Sequence, residues 1–118
     1  MKVLVVDDNQ DITDLLSKFL QSKGFEITVE NDPLEALDLI KNQKYDAVLL
    51  DMSMPEFSGI DIIDTLDREK ILKDQKIIIF SAITFTSSQI TGLLKRKGIH
   101  TCLKKPIQLN SLLTAITC

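Results

Sequence analysis

Five short apolar runs alternate with five helical patterns in this 118-residue chain. That alternation predicts an α/β fold, a doubly wound five-stranded parallel sheet of order 2-1-3-4-5 with five helices on its two faces. Three observations carry the prediction. The stretches 3–6, 47–50 and 77–80 are apolar throughout, as strands covered on both faces are. The runs at 25–29 and 99–103 mix in polar residues (Glu26 and Thr28; His100 and Thr101), as edge strands do. Polar groups directly follow the central runs: Asp7 and Asp8, then Asp51, then Ser81. An open sheet keeps its chemistry at the carboxyl ends of such strands, at the switch point where strand order reverses. Here the switch point falls between strands one and three, so Asp7, Asp8 and Asp51 share one crevice.

The elements follow in order. After Val3-Leu4-Val5-Val6, a helix beginning near Asp11 repeats apolar residues at Ile12, Leu15, Leu16, Phe19 and Leu20, and Lys23-Gly24 stops it. The alternating run from Phe25 to Val29 is the second strand. Asp32 caps the next helix, with Pro33 in its first turn and a stripe of Leu34, Leu37 and Ile40. The third run, 46–50, ends in Asp51, and Met54-Pro55 turns the chain away. Gly59 opens a helix with Ile60, Ile63 and Leu66. Residues 70–75 read as a polar connection. Ile77-Ile78-Ile79-Phe80 is the fourth strand. Ser87-Ser88 caps a helix carrying Ile90, Leu93 and Leu94, which Gly98 closes. A fifth strand at 99–103 precedes a last helix with Leu109, Leu112, Leu113 and Ile116.

The length fits one domain, 1–118. With 44% hydrophobic and 26% charged residues, the chain is neither disordered nor low-complexity. No apolar run is long enough to span a membrane, and the N-terminus lacks signal-peptide character, so a cytoplasmic location is expected. Cys102 and Cys118 have no metal-ligand spacing and read as two ordinary thiols. The net charge of −3 hides an asymmetry: residues 1–74 carry −9 and hold every acid, while residues 75–118 carry +6. A basic surface at the C-terminal end, around Lys95, Arg96, Lys97 and Lys104, is expected to meet an acidic protein partner. Nucleic acid is disfavoured, because the overall charge is acidic and no aromatic lies among these lysines.

Three carboxylates in one crevice repel one another unless a cation joins them. Hard oxygen ligands suit Mg²⁺, with Asp8 and Asp51 the best direct ligands and Asp7 direct or through water. Asp8 has a blander alternative, as a helix N-cap after the first strand. With a cation in place, Asp51 can attack an activated phosphoryl group, as carboxylate nucleophiles do. Positioning and charge neutralisation then supply most of the catalysis, with Ser81 donating to one phosphoryl oxygen and Lys105 pairing with another.

These residues carry a resemblance. Val3-Leu4-Val5-Val6-Asp7-Asp8-Asn9, the stretch from Tyr45 to Pro55, Gly59, Phe80-Ser81-Ala82 and Leu103-Lys104-Lys105-Pro106 resemble, in this order, the receiver domain of two-component response regulators over essentially the whole chain. The resemblance implies the flavodoxin-like form of the fold and a phosphoryl transfer to Asp51 from a histidine kinase or phosphotransfer protein. It implies a Mg²⁺ site from Asp7, Asp8, Asp51 and the backbone carbonyl of Ser53. Ser81 is then the hydroxyl that moves toward the phosphate, Lys105 the cation, Ala82 the small neighbour, and Lys105–Pro106 a cis bond. Ser53 and Ile83 occupy the positions where the family tunes water access, and apolar Ile83 predicts slow self-hydrolysis. The protein is then a phosphoacceptor that assists only its own phosphorylation and dephosphorylation.

The chain also departs from the family. Cys102 stands where many receivers carry a switching Tyr or Phe. With no acid after Asp74, the family's two-sign charge network for homodimers cannot form on the last helix–strand–helix face. The chief alternative is a pseudo-receiver, a protein-binding module that is not phosphorylated. A haloacid-dehalogenase phosphatase would need an acid where Ser53 stands. Flavin binding would need a phosphate loop where Asp7-Asp8-Asn9 repels phosphate. His100, on the edge strand, reads as a surface residue. With the last helix at 109–116, no output domain follows in this sequence; it is either a stand-alone receiver or part of a longer regulator.

Overall fold

The computed structural model describes residues 1–52, 59–81, 87–104 and 108–117, with backbone only at 81 and 87–90. Along the chain run β1 (Lys2–Val6), α1 (Gln10–Ser22), β2 (Glu26–Glu30), α2 (Pro33–Asn42), β3 (Ala47–Asp51), α3 (Gly59–Arg68), a single 3-10 turn (Leu72–Asp74), β4 (Ile77–Ser81), α4 (Ser87–Leu94), β5 (Ile99–Lys104) and α5 (Leu109–Thr117). The five strands are parallel and ordered β2-β1-β3-β4-β5, as the sequence predicts.

Both faces of the central strands are buried, which is why those strands are apolar without alternation. On one face Leu4, Val6, Val48, Leu50, Ile77 and Ile79 pack with Leu37 and Ile40 of α2 and Ile62, Ile63 and Leu66 of α3. On the other, Val3, Val5, Ala47, Leu49, Ile78 and Phe80 pack with Leu16 and Leu20 of α1 and Leu112, Ala115 and Ile116 of α5. Every residue of β3, Asp51 included, is buried.

Several details differ from the sequence reading. Leu15 and Leu34, both in the helical stripes of the sequence, are each 58% exposed. The buried residues of α1 are Thr13, Leu16 and Leu20. At about 100° per residue, Leu15 lies across the helix from their centre. α1 does start near Asp11, at Gln10, because Asn9 caps it, its side chain accepting from the N–H groups of Asp11 and Ile12. The connection at 70–75 holds the 3-10 turn, and Leu72 within it is buried against the α2–α3 face of the sheet. Between β4 and β5 the register slips: Ile77 pairs with Ile99, but Ile78 pairs with Thr101. His100 is the extra residue of this bulge and is exposed, the surface position expected of it.

Candidate functional site

Register builds the site. β1 and β3 pair Val5 with Leu49 and Val6 with Leu50, so the next step along both strands sets Asp7 beside Asp51. Asp7 is fully buried and Asp51 is nearly so, while Asp8 is exposed at the mouth. One carboxylate oxygen from each lies within 4.8 Å of the other two. Sequence reasoning brought these three together, and the structure does so.

The backbone fixes each acid. The Asp51 peptide runs straight into Met52, whose N–H donates to the Phe80 carbonyl at 3.1 Å, so β3 stays paired to its last residue. α3 begins directly behind it. A Cβ at Gly59 would sit 2.6 Å from the Asp51 carbonyl oxygen and 2.7 Å from Met52 Sδ, so only glycine lets the helix approach this closely. Replacing Gly59 by alanine is therefore expected to destabilise the fold by about 1–3 kcal/mol. Urea unfolding measures this as a lower midpoint.

At the β1 end, the Asp7 N–H donates to the Glu30 carbonyl at 3.3 Å. Asp7 Oδ1 accepts the Asn9 N–H at 2.9 Å. Asn9 thus orients an acid and caps α1. This answers the alternative for Asp8: the cap is Asn9, which leaves the Asp8 carboxylate at the crevice. Asn31 also reaches this loop from between β2 and α2, its Nδ2 donating to the Asp7 carbonyl at 2.7 Å. Sequence reasoning missed Asn31. Its one signal is a polar residue just beyond the carboxyl end of a strand that neighbours the site.

Three oxygen-bearing acids, two of them buried, form the hard donor set that suits Mg²⁺. Carboxylate oxygens gathered this closely are the arrangement a divalent cation joins, so the cluster fits one.

Other predicted site residues are placed less fully. Ser81 closes β4, in register with Lys104 and one residue past Phe80, the partner of Asp51, so its backbone lies at the same sheet end. Its side chain lies outside the described residues. So do Ser53, Ala82, Ile83, Lys105 and the Lys105–Pro106 bond. Cys102, the departure from the family's aromatic, is partly buried against the core on the α2–α3 face. Burial pushes its thiol above the usual cysteine range, although the nearby Lys104 charge works in the opposite direction. A raised thiol pKa leaves less thiolate near neutrality. Alkylation of Cys102 by iodoacetamide at pH 8 is expected to run several-fold slower than that of glutathione, as peptide mapping over time would show.

In the basic region, Lys95, Lys97 and Lys104 are exposed. Arg96 is different: it ion-pairs with Asp64 of α3 at 2.7 Å, with Asp67 at 3.8 Å. Its charge is paired within the chain, so Lys95, Lys97 and Lys104 carry the exposed basic surface of this region among the described residues.

Residues 3–117 match the response regulator receiver domain family. Among curated relatives, the chain is 34% identical over 113 residues to the response regulator MprA of Mycobacterium sp. (strain KMS), covering 96% of this chain and 47% of that protein. It is also 34% identical over 115 residues to the CpxR homologue of Haemophilus influenzae, a transcriptional regulatory protein, covering 98% and 48%. The chain thus spans about half the length of these relatives. Among solved structures, the receiver domain of Francisella response regulator 1452 superposes with a TM-score of 0.85 at 33% identity, covering 98% of this chain and 93% of that one. The Thermotoga maritima response regulator TrrA, solved in complex with Mg²⁺-BeF, gives a TM-score of 0.82 at 30% identity, covering 98% and 96%.

With an acidic cup at the switch point of a five-stranded doubly wound sheet, and a family match over nearly its full length, the chain belongs to the receiver domains of two-component response regulators. This is a signalling family rather than one of conventional enzymes. Its members take signals from histidine kinases and act on downstream partners. Among the described residues, no helix is long and apolar enough to cross a membrane.

Proposed function

We propose that residues 1–118 act as one cytoplasmic phosphoacceptor domain in which Asp51 takes a phosphoryl group from the phosphohistidine of a kinase or phosphotransfer protein. The observation that carries this reading is the meeting of Asp7, Asp8 and Asp51 carboxylate oxygens within 4.8 Å at the strand ends. Asp7, Asp8 and Asp51, with the Ser53 carbonyl, are assigned to hold Mg²⁺. When bound, the cation neutralises phosphoryl charge and lets an anionic nucleophile meet an anionic donor.

An Asp51 carboxylate oxygen attacks phosphorus in line, the P–N bond to the donor imidazole breaks, and an acyl phosphate forms on Asp51. Burial of Asp51 at a strand end holds the nucleophile in one orientation, which is the larger part of what this reaction needs. Ser81 and Lys105 are assigned to the remaining phosphoryl oxygens, the first as hydroxyl donor and the second as cation. Ile83 is assigned to shielding the acyl phosphate from water.

The test is intact mass after incubation with Mg²⁺ and acetyl phosphate. A gain of one phosphoryl group (~80 Da), abolished by chelation, supports the reading. If Mg²⁺ binds, no adduct forms on any timescale and rapid hydrolysis is excluded, the protein is a pseudo-receiver instead.

Downstream, the exposed Lys95, Lys97 and Lys104 are assigned to an acidic protein partner. Such a complex is expected to weaken roughly tenfold or more between low and physiological salt, and again on the double substitution Lys95→Glu, Lys97→Glu. Calorimetry across a salt series checks this; an affinity insensitive to salt counts against the assignment.

A further inference from the structure

We propose that Asn31 is a positioning residue for the cation site, acting on Asp8 through the peptide that joins it to Asp7. The inference rests on the reading that Asp7, Asp8 and Asp51 hold Mg²⁺.

Asn31 Nδ2 donates to the Asp7 carbonyl oxygen at 2.7 Å and to Thr13 Oγ1 at 3.2 Å. That carbonyl belongs to the same rigid plane as the Asp8 N–H. Tilting the plane swings the Asp8 Cα and the carboxylate it carries. Asp7 is held independently, by its N–H on Glu30 and by the Asn9 N–H on its Oδ1. From Asn9 onward the chain is held by the α1 cap. Asp8 lies between these two anchored points, beyond the end of β1 and exposed, so the pitch of the peptide entering it helps to set where its carboxylate lies.

The holder is itself held. Glu30 Oε2 accepts the N–H groups of both Asn31 and Asp32 at 3.1 Å. Asp32 Oδ1 in turn caps α2, accepting the Leu34 N–H at 2.9 Å. Thr13, fully buried in α1, donates its hydroxyl to the Gln10 carbonyl at 3.0 Å, which leaves a lone pair for Asn31. The Asn31 amide thus spans β1, α1 and the β2–α2 loop behind the acids, the kind of support that tunes a metal site through its ligands.

A merely structural role would cost stability and leave cation affinity alone, so the two are measured separately on the full chain. Mg²⁺ affinity is read by calorimetry and stability by urea unfolding without metal. The variants are Asn31→Ala, Asn31→Leu (which keeps the branched shape and heavy-atom count and serves where alanine fails to fold), Thr13→Val, Asp8→Asn and Lys76→Met. Lys76 Nζ donates to the Ile116 carbonyl at 2.6 Å, remote from the site, and serves as a stability control. Asn31→Ala and Asn31→Leu are expected to weaken Mg²⁺ binding about tenfold, within the range known for outer partners of metal ligands. Thr13→Val is expected to weaken it about two- to threefold, and Lys76→Met to lower only the urea midpoint. Folded Asn31 variants that bind Mg²⁺ within twofold of wild type would overturn the proposal while leaving the cation site standing. If wild type and Asp8→Asn alike fail to bind Mg²⁺, the cation site and this inference fall together.

Discussion

Asp51→Asn is expected to abolish phosphoryl acceptance, leaving less than about 1% of the wild-type adduct, and at the same time to raise stability in the absence of metal. The substitution keeps the volume and one hydrogen-bonding oxygen. It removes the anionic nucleophile, and an amide oxygen does not form a stable acyl phosphate. It also removes one of three acidic groups whose oxygens lie within 4.8 Å, two of them buried. Thinning this crowd of carboxylates is expected to show as a higher urea midpoint without Mg²⁺. Added Mg²⁺ should narrow the difference, because it stabilises only a cluster able to bind it. Loss of phosphorylation with an equally large loss of stability would point instead to a damaged fold.

The second large effect lies away from the site. Gly98 closes the turn between α4 and β5 with φ at +106°, and a Cβ there would sit 1.9 Å from the Leu72 carbonyl oxygen. Gly98→Ala therefore meets two costs: about 1–2 kcal/mol for left-handed backbone and about 1–3 kcal/mol for forcing packed backbone apart. The total, about 2–5 kcal/mol, is a large share of the roughly 5–15 kcal/mol that holds such a domain folded. Gly92, in α4, provides the contrast. Nothing lies within 4 Å of its would-be Cβ, and Gly92→Ala is expected to stabilise by up to about 1 kcal/mol through helix propensity. Urea unfolding of both variants gives midpoints moving in opposite directions. A Gly98→Ala midpoint equal to wild type would show that the 3-10 turn yields without cost.

Much of this molecule was legible in the sequence because its signals are local. Continuous apolarity marked β1, β3 and β4 as central, and polar interruption marked β2 and β5 as edges. Parallel register then forced Asp7 and Asp51 together, since each is the first residue beyond or at the end of an adjacent paired strand. What escaped depends on three-dimensional phase and reach. Leu15 belongs to an apolar pattern but lies across α1 from its buried line, and residues 70–75 look polar although Leu72 plugs the core. Asn31 touches the site across 24 residues of sequence, by a side-chain reach no periodicity encodes. Arg96 looked like free basic surface until α3 brought Asp64 to it.

The most direct measurement is chemical mapping of the acyl phosphate. After phosphorylation with acetyl phosphate and Mg²⁺, borohydride reduces the acyl phosphate carbon to an alcohol, turning the modified aspartate into homoserine, which peptide sequencing by mass locates. Homoserine at position 51 and at no other acid, dependent on Mg²⁺, is the predicted result. Homoserine at Asp7, Asp8 or another acid, or a phosphoryl adduct that borohydride leaves untouched, would contradict Asp51 as the phosphoacceptor.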